Sequence, residues 1–223
     1  MIIHSKAVAP IQAVTFDVGG TLIEPFPSVG HIYAEVAARH GNSGLSAEEF
    51  NQAFASVWRK RPNFNHARSE WAALVDDAFH LVTGTPAGRA CFDELFERFA
   101  EPEAWRIFPD VPPALEAIAA RGLKLGIISN WDERLRPLLR RLNLYNCFHV
   151  IIVSCEVGFP KPSPFIFQRA AERLGLPLEA ILHIGDSPVH DFAGACDAGG
   201  EAFLLSRKGE ISSVAQIRSL TEL

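Results

Sequence analysis

The sequence predicts an α/β protein: a doubly wound parallel sheet, interrupted after its first strand by an inserted all-α cap domain. Three observations predict it. Short apolar runs of strand length recur along the chain, each bounded by Gly, Pro or Ser. From residue 105 to 223 these runs alternate with segments of helical periodicity, the pattern of a parallel sheet covered on both faces. Between the first run and the others, residues 25–104 carry helical periodicity alone. The core is therefore assigned to 1–24 and 105–223, and the cap to 25–104.

The elements follow in order. IQAVTFDV (11–18) ends in Gly-Gly and reads as a buried strand entering a tight loop. SVGHIYAEVAARHG is a helix closed by Gly41. SAEEFNQAFASVWRK opens with Ser46 and Glu49 at capping-box spacing. SEWAALVDDAFHLVTG and AGRACFDELFERFA complete four cap helices. Beyond Phe108, VPPALEAIAARG is a helix stopped by Gly122, and LKLGIIS a buried strand. ERLRPLLRRLNL is a helix with Pro137 early enough to be tolerated. HVIIVS, AILHIG and EAFLLS are strands, separated by the helices PSPFIFQRAAERLG and SPVHDFAGACDAGG. SVAQIRSL is expected to close the chain as a helix.

Composition narrows the function classes. The 223 residues are 48% apolar and 21% charged, with net charge −5, so neither nucleic acid nor an anionic membrane is expected as a partner. The 16 Phe fall within apolar patterns and read as core. Pro10 and Gln12 break the apolar stretch a signal peptide would need, and no segment is long and apolar enough to span a bilayer. The four cysteines, Cys91, Cys147, Cys155 and Cys196, form no CxxC pair, which suits reduced thiols in a cytoplasmic protein.

In open α/β sheets, sites form beyond the carboxyl ends of strands, where the strand order switches. This chain repeatedly places polar residues there. Asp17 ends the first strand, Ser129 and Asn130 end LKLGIISN, and Asp186 ends ILHIGD. Lys161 follows VIIVS in EVGFPKPSPF, between Pro160 and Pro162. Each has a plainer explanation: turn-forming Asp, an N-capping Ser-Asn, a solvated Lys. Together, in order along one sheet, they describe a site.

These motifs resemble the haloacid dehalogenase (HAD) superfamily, in the branch with a helical cap after the first motif, and the likeness covers nearly the whole chain. DVGGT is similar to the nucleophile motif DxDGT, and IISN to the second motif. GFPKPSPFIF is similar to the lysine motif, and GDSPVHDFAGACDAG to the acidic motif GDSxxxDxxGAxxAG. The resemblance implies an aspartyl-phosphate on Asp17, with Thr21, Ser129, Asn130 and Lys161 as further catalytic residues and Gly20, Ser129, Asn130 and Lys161 binding substrate. It implies Mg²⁺ held by Asp17, the Gly19 carbonyl, Asp186 and Asp191, and a small phosphorylated metabolite as partner. The chemistry agrees. A carboxylate nucleophile meeting an anionic substrate needs cations, and Asp is an established covalent catalyst.

Gly19 departs from the pattern. The family's second Asp protonates the leaving oxygen and later deprotonates water; glycine keeps the metal-binding carbonyl and loses that function. General acid–base catalysis is worth about 10²–10⁴ in rate. The resemblance leaves three readings. A phosphohydrolase would favour leaving groups that need no proton, such as acyl or aryl phosphates, or borrow an acid from His31, Tyr33 or Glu24 near the start of the insert. A 2-haloacid dehalogenase also lacks the acid, but the usual residue there is Tyr, and its last motif is neutral where this chain has Asp186. A degenerate binding module would have no need of Asp17, Thr21, Ser129, Lys161, Asp186 and Asp191 together. A phosphonatase would require a cap lysine, and Lys60 in its RKR setting reads as solvated. WRKRPNFNHAR (58–68) reads as a solvated helix end, Trp58 and Trp71 as cap core, His183 as a buried core residue, and His190 as a neighbour of the acidic motif.

Overall fold

A computed structural model describes residues 10–62, 64–207, 209 and 215–223. The chain packs as two units. One takes in the chain up to Leu22, Phe108–Asn130 and Asn146 onward; the other is Ile23–Ile107 with Trp131–Tyr145.

The first unit is built on a six-stranded sheet. Its strands are β1 (Ala13–Phe16), β4 (Lys124–Ser129), β5 (Val150–Val153), β6 (Ile181–Gly185), β7 (Glu201–Leu205) and β8 (Gln216–Ile217), with β2 (Ile23–Pro25) and β3 (Trp105–Ile107) belonging to the other unit. Their order is β5-β4-β1-β6-β7-β8, and every pairing is parallel. The chain leaves β1 for β4 and β5 on one side, then for β6, β7 and β8 on the other. The switch in strand order thus falls at β1, whose carboxyl end carries Asp17. The central strands are buried on both faces because helices cover both. α8 (Pro164–Leu174) shows how the sequence does this. Ile166, Phe167, Ala170, Ala171 and Leu174 share one face and pack against Ala13, Ile128, Val150, Ile152 and Ile181. α5 (Val111–Ala120) buries Val111, Ala114, Leu115 and Ile118, and α7 (Ser154–Val157) is a single turn after β5. The predicted SPVHDFAGACDAGG helix is a π-helical turn, Pro188–Ala193, continuing into α9 (Gly194–Asp197).

The second unit packs α1 (Val29–Arg39), α2 (Ala47–Arg59), α3 (Arg68–Thr83) and α4 (Gly88–Arg98) around Tyr33, Phe50 and Phe79. The Phe50 and Phe79 rings are 4.8 Å apart. Ser28 and Ser46 cap α1 and α2, each accepting from the backbone N–H three residues on.

Two expectations need correction. The helical insert is itself bracketed by an antiparallel ribbon, Ile23–Pro25 (β2) and Trp105–Ile107 (β3), where the chain departs and returns. The helix α6 (Leu135–Arg141), assigned from sequence to the core, groups with the helical unit. Asp132 Oδ2 accepts from Trp71 Nε1 at 2.9 Å, and Arg134 Nη1 donates to the Phe96 carbonyl at 2.8 Å. Finally, the closing helix over SVAQIRSL lies partly outside the described residues, and its remainder is the edge strand β8 followed by a 3₁₀ turn, Leu220–Glu222. Ser219 and Glu222 form a capping box there, a local signal that favours a short turn over a helix running through 216–220. No helix among the described residues is long and apolar enough to cross a membrane.

Candidate active site

Asp17, Ser129, Asn130, Lys161, Asp186 and Asp191 all come from loops at the carboxyl ends of β1, β4, β5 and β6 or the turn that follows β6, within the first unit. Lys161 is 3% exposed. Its ammonium donates to Asp17 Oδ1 at 2.7 Å, to Asp191 Oδ1 at 2.5 Å and to the Ile128 carbonyl at 2.8 Å. An ammonium has three N–H donors, and all three are engaged. The lysine expected to meet substrate is therefore first a counter-ion for two carboxylates.

Ser129 Oγ donates to the same Asp17 Oδ1 at 2.9 Å. With Oδ1 held twice, Oδ2 is the oxygen left to face a reactant. Asn130 clamps the lysine loop: its Oδ1 accepts from the Lys161 N–H at 2.7 Å, and its Nδ2 donates to the Lys161 carbonyl at 2.9 Å. Its amide thus fixes the Lys161 backbone. Thr21 is fully buried, and its hydroxyl has no protein partner among the described residues.

Two glycines let the loops close together. Gly20 has φ +79°, and a Cβ there would lie 2.4 Å from Asp186 Oδ2. At Gly185 a Cβ would lie 2.2 Å from the Asp191 carboxyl carbon. Asp191 Oδ2 also accepts from the Ser187 N–H at 2.9 Å.

The protonation equilibria reflect a shortage of positive charge. Burial acts against the Lys161 ammonium, but Asp17 and Asp191 more than compensate and raise it above its ordinary value. Burial acts to raise Asp191 too, yet Lys161 and His183 hold it below the usual carboxylate range. Burial raises Asp17 despite Lys161, and the Asp191 charge adds to the rise. Asp186 is pushed up to about 7 by burial and by the charges of Asp17 and Asp191. The Asp186 side chain is exposed to solvent, so its neighbours' like charge outweighs its burial, and a cation would remove that charge's effect.

The three carboxylates offer ligand atoms that lie within 4.8 Å of one another. An all-oxygen donor set at that spacing, short of one cation and opened by the missing Gly20 side chain, fits a hard divalent ion such as Mg²⁺. Gly19, partly buried on the same loop, keeps its carbonyl.

The residues considered as substitute acids have other partners. Tyr33 is buried among Phe50, Phe54, Phe79 and Phe99 in the helical unit, and burial raises its hydroxyl despite Arg134. Glu24 pairs with Arg106 across the ribbon, and His31 Nδ1 lies 2.8 Å from Ser28 Oγ. Lys60 is an exposed helix end. Trp71 is partly buried and stacks on Trp58, which is 38% exposed and so only edges the helical core. His190 Nδ1 lies 3.2 Å from Ser187 Oγ. The residue that sequence reasoning missed is His183, whose imidazole reaches Asp191. A lone His inside an apolar strand gives no sign of what it faces.

Comparison with known proteins agrees on one family. The haloacid dehalogenase-like hydrolase family matches residues 11–199. Haloacid dehalogenase-like hydrolase domain-containing protein 3 of Danio rerio is 33% identical over 210 residues, covering 89% of this chain and 86% of the relative. Glyceraldehyde 3-phosphate phosphatase of Methanopyrus kandleri is 37% identical over 208 residues, covering 85% and 81%. Among solved structures, a 2-haloacid dehalogenase from Pseudomonas syringae superposes with a TM-score of 0.65 at 26% identity, over 95% and 96% of the two chains.

Proposed function

From the premise that the chain belongs to the haloacid dehalogenase-like hydrolases and is a hydrolase, we propose a Mg²⁺-dependent phosphohydrolase acting on a small phosphorylated metabolite through Asp17. The observation that carries this reading is the complete trio Asp17, Asp186 and Asp191 around one buried lysine. A halide-releasing site has no use for three clustered carboxylates, whereas a phosphoryl group must be met by cations. The relationship to a glyceraldehyde 3-phosphate phosphatase supports the same substrate class. In this reading the protein is cytoplasmic, takes neither nucleic acid nor membrane as a partner, and uses its helical insert as the cap that selects among substrates.

Asp17, Asp186, Asp191 and the Gly19 carbonyl would hold Mg²⁺, which supplies charge neutralisation at the phosphoryl oxygens. Ser129 and Lys161 fix Asp17 Oδ1, so that Oδ2 attacks phosphorus. The Oδ2–P bond forms as the bond to the leaving oxygen breaks, and that oxygen keeps the electron pair. Water then attacks the aspartyl-phosphate, releasing orthophosphate and restoring the Asp17 carboxylate, with its proton passing to solvent. Gly19 offers no proton in either step. The reading therefore favours leaving groups that depart as stable anions, acyl and aryl phosphates among them.

The test is hydrolysis of acetyl phosphate and p-nitrophenyl phosphate with and without Mg²⁺. Turnover is expected to require Mg²⁺ and to vanish in Asp17→Asn. Gly19→Asp is expected to raise the rate on poor leaving groups by about 10²-fold or more. Metal-independent chloride release from 2-chloropropionate, with no phosphate release, would replace this reading with dehalogenation.

A further inference from the structure

His183 and Thr15 stand in register on the adjacent parallel strands β6 and β1. Their side chains leave the sheet on the α8 side, where the Phe167 ring lies 5.3 Å from the imidazole, nearly perpendicular to it. Thr15 Oγ1 is 3.0 Å from His183 Nδ1, and His183 Nε2 is 3.3 Å from Asp191 Oδ1. All three residues are no more than 2% exposed.

At that depth each polar group needs a partner, and the chemistry leaves one assignment. Asp191 is an ionised carboxylate bonded to Lys161, so it can only accept, and Nε2 must carry the proton. The buried Thr15 hydroxyl has His183 Nδ1 as its hydrogen-bond partner among the described residues, so it donates there, Nδ1 accepts, and the ring is neutral.

We propose that His183 is a positioning residue: Thr15 selects its Nε2–H tautomer, and that N–H locks the rotation of the Asp191 carboxylate. Oδ1 is thereby committed to Lys161 and His183, while Oδ2, held by the Ser187 N–H, keeps a lone pair for the carboxylate cluster. A neutral donor suits this place because it orients Asp191 without cancelling its charge; a second buried cation would compete with the metal. Gly185 provides the other half of the device, since any side chain there would push Asp191 away. The inference rests on the reading of Asp191 as part of a Mg²⁺ phosphohydrolase site.

Nitrogen-15 NMR of the intact protein, with His183 assigned by its loss in His183→Gln, is expected to show the Nε2–H tautomer. Calorimetric titration with Mg²⁺ in the absence of substrate is expected to show about 10- to 100-fold weaker binding in His183→Leu. In that variant kcat on acetyl phosphate should fall by a similar factor while KM moves little. His183→Gln, which can place an amide N–H near the same point, should recover both to within about threefold of the parent. Thr15→Val keeps the shape, releases the tautomer, and should weaken Mg²⁺ binding in the same direction. An Nδ1–H or imidazolium His183, parent-like Mg²⁺ affinity in His183→Leu, or a Gln variant no better than Leu would each overturn the proposal. If His183→Leu does not fold, the parent tautomer and Thr15→Val still decide it. A parent that hydrolyses no phosphate, with Mg²⁺ binding lost in Leu and regained in Gln, would sink the phosphohydrolase reading and leave this one standing.

Discussion

At the scale of single residues, Lys161 is the most consequential side chain in the molecule. Its charge sits 3% exposed between two carboxylates and a backbone carbonyl, and no part of it is idle. Removing one partner from a buried ion cluster costs about 3–5 kcal/mol, since the charges left behind keep their dehydration and lose their compensation. Lys161→Met is therefore expected to lower the urea-unfolding free energy by about that amount, and Mg²⁺ should return part of it. An unchanged urea midpoint would mean that Asp17 and Asp191 do not depend on the lysine. Much of this was legible beforehand. Strand-end position picked out Asp17, Ser129, Asn130, Lys161 and Asp186, and the motif likeness added Asp191. Hydrogen-bond assignment was not legible: that Asn130 holds the lysine backbone, that Thr21 is sealed in, and that His183 faces Asp191 depend on register and loop closure.

At the scale of elements, the chain's departure from the core and its return are tied together. The Phe108 N–H donates to the Leu22 carbonyl at 3.1 Å. Arg207, just beyond β7, bonds the Thr21 carbonyl at 2.7 Å, forks onto both oxygens of Asp110, and lies over the Phe108 ring. Asp110 also accepts from Ser219 Oγ and the Leu220 N–H, so it fastens the last turn of the chain to the start of α5. Burial alone would raise the Asp110 carboxyl; Arg207, Leu220 and Ser219 more than offset it and hold it below its ordinary value. A lowered folded-state pKa means that this stabilisation is present above the ordinary carboxylate range and is lost as pH falls through the folded value. Asp110→Asn is expected to cost about 1–3 kcal/mol at neutral pH and to flatten the acid limb of the stability curve. An acid limb identical to the parent's would remove Asp110 from the account. Periodicity found the long elements because each buries a whole face. The ribbon β2–β3 and the edge strand β8 span two or three residues each, too few to show a period, and they exist by pairing with distant chain.

At the scale of the whole molecule, the carboxylate cluster couples stability to pH and, on the proposed Mg²⁺ reading, to metal. Asp17 and Asp186 are raised in the folded state, so between the ordinary carboxylate range and about pH 7 the folded protein binds more protons than the unfolded chain. Stability of the metal-free protein should then decline as pH rises from 5 to 8. Asp191 is shifted the other way and acts only at lower pH. Mg²⁺ should stabilise the protein more at pH 8 than at pH 5, which thermal unfolding at the two pH values with and without the ion will show. Equal stabilisation at both would separate the metal from these carboxylates.

The balance of charge in the cluster also sets an order of events. Three carboxylates against one ammonium leave two negative charges when all are ionised, and a divalent cation brings the sum to neutral. A phosphate dianion approaching before the metal meets a site of its own sign, and approaching after it meets none. If the protein is the proposed Mg²⁺ phosphohydrolase, a lysine outnumbered by its carboxylates sets the expected order as metal first and substrate second.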